Sequence, residues 1–176
     1  ASDVYKRQVV SDGYRGSFSK ELKVIPSYNG PNWWISNNGD DEFGDGSEEN
    51  PFNSVVWPLR HIKGDGSSGD GVAFFNDGDT IRIMASNDDY QMAGAAFKAS
   101  RNQGDQSAYI EVDGMSYNAQ LTNFTIMGDS NDPSDARING SPQGHFVLNG
   151  VKATFKNITM GSFEGPVFML INVGPN

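Results

Sequence analysis

Apolar and polar residues alternate in short runs along this chain, and each run stops at a cluster of Gly, Asn, Asp or Ser. Period-two alternation with frequent turn formers predicts half-buried strands. The segments "WWIS" (33–36), "GDTIRI" (78–83), "YIEV" (109–112), "NFTIMG" (123–128) and "VFMLINV" (167–173) read this way. One segment departs from it. In "PFNSVVWPLRHI" (51–62) a Ser or Asn cap precedes Val55, Leu59 and Ile62, which fall on one helical face. Pro58 fits only the first turn of a helix, so the helix starts near Trp57 and is short. Met84 to Gln106 follows neither period and reads as a loop or a short helix around Ala93–Ala99. The class this pattern gives is all-β.

Two longer segments resemble each other. "YIEVDGMSYNAQLTNFTIMGD" (109–129) and "HFVLNGVKATFKNITMGS" (145–162) share an alternating run, an Asp-Gly or Asn-Gly, a second alternation and a Thr-containing strand ending in Met-Gly. Gly114 and Gly150 are 36 residues apart, and Gly128 and Gly161 are 33 apart. Repeats of this size belong to stacked coils. A coil of about 21 residues plus a protruding loop, "DSNDPSDARINGSPQG" (129–144), accounts for the spacing, with the next coil opening at "VFMLINV". Asn123 and Asn157 precede strands, where Asn takes a left-handed turn and bonds a stacked counterpart.

The remaining segments are organised around this unit. Residues 9–26 alternate on either side of a Ser-Asp-Gly turn and read as a hairpin, either the tail of an Ig-like module or part of the main domain. Residues 27–32 concentrate turn formers and read as a linker to the main unit, 33–176. Asp3–Gln8 resembles the conceptual translation of a transposon end used in library preparation, so residues 1–8 read as a sequencing artefact on a metagenome-type fragment.

Composition removes several function classes. The net charge of −9 repels a phosphate backbone, so nucleic acid is not an expected partner. No apolar run approaches the roughly 20 residues that span a bilayer, and no membrane insertion is expected. The absence of Cys excludes disulfides, thiolate metal sites and a Cys nucleophile.

Candidate chemistry is sparse. Asp40, Asp41 and Asp45 are candidate calcium ligands, since that hard cation takes several oxygens, although Phe43 interrupts the alternate spacing of calcium loops. "DGSSGDG" (65–71) matches neither calcium-loop spacing nor a phosphate loop. His61 and His145 stand far apart and read as hydrogen-bonded or surface residues. Asn123 and Asn157 head glycosylation-acceptor triplets whose threonines, Thr125 and Thr159, fall in expected core strands. Asp89, Asp105, Glu111, Asp113, Asp129, Asp132 and Asp135 could supply a carboxylate pair for glycoside hydrolysis, but the spacing selects none, and the catalytic residues are unknown.

The order of pieces from Trp33 to Ala85 is more specific. "WWISNNGDD", "DGSEENPFNSV" and "GDTIRI" resemble the N-terminal cap of right-handed parallel β-helix proteins of the pectate-lyase-like superfamily. That resemblance implies a truncated solenoid whose capping helix lays Val55, Trp57, Leu59 and Ile62 over the first coil, with Phe52 wedged beneath. It also implies an extracellular or cell-surface protein that binds polysaccharide or cell-surface glycan, or mediates adhesion. A polysaccharide lyase, hydrolase or epimerase acting through later coils, or a phage tailspike-like fibre, are the alternatives. In the lyase case a Lys or Arg base stands beside calcium-binding acids, for which Arg137 and Lys152 are the available cations.

Overall fold

A computed structural model describes residues 28–64, 72–92, 97–101, 107–112, 114–140, 146–161 and 168–171. The expected artefact and hairpin of residues 1–26, the glycine-rich "DGSSGDG", Asp105, Asp113 and His145 lie outside the described residues. The regular secondary structure among the described residues is almost entirely strand. One four-residue helix, α1 (Val56–Leu59), and one 3-10 turn (Pro133–Asp135) are the only helical elements among the described residues.

Among the described residues twelve strands build three sheets. The first is fully parallel, in the order β1 (Asn32–Ile35), β2 (Thr80–Ile83), β7 (Asn123–Gly128), β10 (Lys152–Lys156). The second is also parallel: β3 (Tyr90–Gln91), β8 (Arg137–Asn139) and β11 (Thr159–Gly161). In the third, β4 (Phe97–Arg101), β9 (Phe146–Asn149) and β12 (Phe168–Ile171) are parallel neighbours. On the far side of β4 an antiparallel hairpin, β5 (Ser107–Val112) and β6 (Met115–Gln120), extends that sheet. The chain visits the three sheets in the same order three times: β2, β3, β4, then β7, β8, β9, then β10, β11, β12.

Alternation decides which side chains face inward. Trp33, Ile81 and Ile126 stand in register on β1, β2 and β7 and are fully buried, with Phe155 of β10 continuing the row. Tyr90 and Ile138 do the same on β3 and β8, followed by Met160. On the third sheet Phe97 pairs with Phe146, their rings 6.2 Å apart. Phe97 also meets Phe124 of the first sheet at 5.7 Å, which joins the sheets through one core. Rows of apolar side chains at strand spacing, about 4.8 Å, bury each layer against the next.

The first layer is covered by the segment between β1 and β2. Val55, Leu59 and Ile62 are buried, but of these three only Leu59 lies within α1, and Ile62 bridges to Phe75; Val56 is buried as well, while Trp57 is half-buried against the core. Pro58 lies inside α1, where a one-turn helix loses nothing from its missing N–H. Phe52 stacks on Trp33 at 6.3 Å and bridges to Ile35. Gly46 permits that packing: it has φ +78°, and a Cβ there would lie 2.5 Å from the Phe52 ring. Residues 28–31, read as linker, touch the core directly, since Tyr28 packs edge-on against Trp33 and Pro31 accepts a bond from the Thr80 N–H.

Several expectations change here. Phe97 and Ala99 are buried strand residues, so the region read as a loop or helix around Ala93–Ala99 contains β4; residues 93–96 are outside the described set. The expected protruding loop 129–144 contains β8, whose Ile138 is fully buried between Arg137 and Asn139. Residues 109–120 are a hairpin rather than part of a coil, turning at Gly114 with φ +74°. The register also differs from the apparent repeat. Thr125 pairs with Thr154, 29 residues on, so "NITMG" pairs with Arg137–Asn139 and not with "NFTIMG". Asn157 takes the expected left-handed conformation at φ 51°, but Asn123 is an exposed strand residue bonded to Asp77. The spacing of 22 residues between Phe146 and Phe168 agrees with the expected coil length.

Candidate functional site

The outward face of the first sheet carries the most organised set of polar side chains. In register across it stand Asn32, Thr80, Thr125 and Thr154, and beside them Trp34, Arg82, Met127 and Lys156. These are the odd members of strands whose alternate residues fill the core, so the pleat that buries Trp33 and Ile81 turns Trp34 and Arg82 outward.

Arg82 is held at three points. Its Nε donates to Asn32 Oδ1 at 3.0 Å, and its Nη1 donates to Asp129 Oδ1 at 3.0 Å. Its guanidinium carbon lies 5.5 Å from the centre of the Trp34 ring. An arginine stacked and bonded in this way presents a fixed planar donor, at far lower entropy cost than a free side chain. The ion pair with Asp129 is solvent-exposed and contributes at most about 1 kcal/mol to stability. Its consequence is orientation.

A second cluster lies outside the second sheet. Asp89 precedes β3, and its Oδ1 is 3.5 Å from Arg137 Nε on β8. Its Oδ2 accepts a short bond from Asn139 Nδ2. Asn139 Oδ1 is buried without a hydrogen-bond partner and faces Gly161 on β11. One carboxylate and one guanidinium therefore stand together here.

The candidate calcium ligands do not converge. Asp40 Oδ1 accepts from the N–H groups of Glu42 and Phe43, closing its own turn. Asp45 does the same for Ser47. Asp41 instead accepts from Asn53 and Ser54 at 2.8 and 2.9 Å, fastening the cap loop to the entry of α1. Burial raises the Asp41 pKa above its usual value, against the lowering effect of those two N–H bonds. Among the described residues no group of three or more His, Asp or Glu side chains is placed to hold a metal ion.

Other singled-out residues have identifiable surroundings. His61 is buried, with Nδ1 2.7 Å from the Trp57 carbonyl and its ring stacked on Phe74. Asp129 pairs with Arg82 and Glu111 with Lys98, so these two acids face different cations on different sheets. Asp132 caps the 3-10 turn, and bonds from the Ser134 hydroxyl and N–H lower its pKa. The Asp135 carbonyl accepts from Ser86 N–H. Lys152 is exposed on β10, in register with Asn123. Thr125 and Thr159 are half-buried strand residues, and the Thr159 hydroxyl donates to the Pro133 carbonyl.

Two aspartates that sequence reasoning passed over organise the fold. Asp79, within the "GDTI" piece, is buried and accepts from Trp33 Nε1 at 2.7 Å and from Asn76 N–H at 2.8 Å. Asp77 accepts from the N–H groups of Thr122 and Asn123 and from the Thr122 hydroxyl. The signal for both was their place in an Asn-Asp-Gly-Asp turn directly before a strand.

No helix among the described residues is long and apolar enough to cross a membrane. The chain matches no protein-family model, and comparison with curated proteins and with solved structures gave no match.

Proposed function

We propose that this chain is the capped beginning of a right-handed parallel β-helix of the pectate-lyase-like type, from an exported or cell-surface protein that binds glycan through the outer face of its first sheet. The repeated order of the three sheets and the register of their buried rows support the solenoid part of this reading. The observation that carries the binding part is the Trp34–Arg82 pair beside an Asn-Thr-Thr-Thr row. An indole edge, a fixed guanidinium and a line of hydroxyls suit a ligand with apolar ring faces and many hydroxyl groups.

An enzymatic reading, as a polysaccharide lyase, hydrolase or epimerase, rests on Asp89 beside Arg137. Glycoside hydrolysis calls for two carboxylates about 5 to 10 Å apart across the bond, and Asp89 supplies one. A chain that binds without turnover is the expectation from the first sheet.

The test is a panel of neutral and acidic polysaccharides, with and without calcium, read for binding and for release of reducing or unsaturated ends. Binding that falls about tenfold in Arg82→Ala, with no product released, supports the reading. Product release that vanishes in Asp89→Asn and survives Arg82→Ala transfers the function to the second sheet.

A further inference from the structure

We infer that the outer face of the β4–β5–β6 sheet binds a neutral sugar ring, with Tyr109 as the stacking platform. This rests on the glycan-binding reading above and adds a second face with its own chemistry. The hairpin is an addition to one pass of the chain. Between β9 and β10 only Gly150 and Val151 intervene, whereas β4 and β7 are separated by the whole of β5 and β6.

The inward residues of the hairpin, Ala108, Ile110, Val112, Tyr117 and Ala119, are buried. Its outward residues are therefore free of any role in the core. Tyr109 is 42% exposed, while the other hairpin tyrosine, Tyr117, is 5% exposed and donates to the Leu59 carbonyl. In register, Tyr109 stands opposite Ser100 on β4 and Asn118 on β6. Cross-strand neighbours at about 5 Å place a hydroxyl and an amide on either side of the phenol ring.

A pyranose has an apolar C–H face and a rim of hydroxyls, so its recognition needs a flat apolar surface ringed by short donors and acceptors. Tyrosine supplies that surface at low entropy cost, and Ser and Asn supply adaptable hydrogen bonds. The charge of the patch selects the class. Lys98 and Glu111, one row away, pair at 3.4 Å and cancel, on a chain whose net charge is −9. A patch without net charge attracts neither a uronate nor a phosphate. The platform is also anchored: Gln120 N–H donates to Lys63, and Gly64 bridges to Ala119, so the hairpin is held before ligand arrives.

The experiment titrates the 176-residue chain with neutral hexaoses of xylose, glucose and mannose, and with a uronate hexamer, by calorimetry and amide NMR. Expected are binding of a neutral hexaose with shifts at Ser100 and Asn118, a loss of about tenfold in Tyr109→Ala, and a change within about twofold in Tyr109→Phe. Loss in Trp34→Ala with none in Tyr109→Ala overturns this proposal and leaves the first-sheet reading intact. Preference for the uronate overturns the assignment of class. Binding by none of the four overturns both readings. If Tyr109→Ala misfolds, the wild-type shifts decide: perturbation confined to the first sheet counts against the hairpin.

Discussion

The two ends of the sheet stack are finished differently. At β1 the outer edge is hydrogen-bonded by irregular chain: Trp34 N–H donates to Gly46, Phe52 N–H to Trp34, and Ser36 N–H to Phe52. At the other end β10, β11 and β12 are each the last strand of their sheet among the described residues. The buried rows record the same contrast. Ile126 and Ile138 have no exposed surface, but the next residues in those rows, Phe155 and Met160, are only partly buried. Lys152 and Lys156 stand exposed on β10, and charges of this kind discourage chance strand pairing. Regular strands stack well on one another but do not seal themselves. Sealing takes a segment that leaves the strand pattern, supplies carbonyls at irregular intervals and carries aromatic bulk.

The comparison can be broken by deletion at each end. Trp33→Ala removes the fully buried ring between Phe52 and Phe74 and leaves Asp79 without its indole donor. It should cost about 3–5 kcal/mol in urea unfolding. Phe155→Ala, in the same row but half-buried, should cost about 1–2 kcal/mol. Equal losses at the two positions would mean that the far edge is buried in solution.

The smallest effect concerns the cap loop and its dependence on pH. Burial makes the Asp41 carboxyl harder to ionise in the folded chain than in the unfolded one. Its contribution to stability is therefore fully present below the ordinary value of 3.8 and is lost as pH rises through the raised folded value. Asp41→Asn keeps an oxygen to accept the Asn53 and Ser54 N–H groups but carries no charge. The variant should gain on the wild type between acid and neutral pH, by a fraction of a kcal/mol to about 1 kcal/mol in thermal unfolding. A gain in the opposite direction would show that the two N–H bonds outweigh burial.

How much of this was legible in the sequence varies by region. The short helix and β2 were readable because their signals are local: the Ser-preceded apolar run that includes Leu59, and the "GDTIRI" alternation, each point to one element unaided. The register of β10 was not. Counted between Gly128 and Gly161 the apparent repeat is 33 residues, which differs from the observed 29 by an even slip that leaves every inward residue inward. Alternation cannot separate the two. What separates them is Asn157, whose left-handed backbone turns the chain out of β10 and sends "TMG" to the next sheet. The hairpin escaped for a related reason. Its Asp-Gly turn was visible, but whether a strand lies parallel or antiparallel to a distant partner leaves no trace in a period of two. The outward Trp34–Arg82 pair was equally hidden, because it joins residues 48 positions apart through a strand pairing.

The lid over the first layer is assembled from two distant stretches of chain. Tyr117 donates to Leu59 and Gln120 to Lys63, across 58 and 57 residues of sequence. During synthesis on the ribosome the capping segment would emerge long before the hairpin that completes it. Until β5 has left the exit tunnel, β4 has no neighbour on that side, and until Gln120 has followed, the Lys63 carbonyl lacks its Gln120 donor. The cap is thus the first part of this unit to be made and among the last to be finished, and a nascent chain must carry that unfinished surface while the strands of the first pass are already in place.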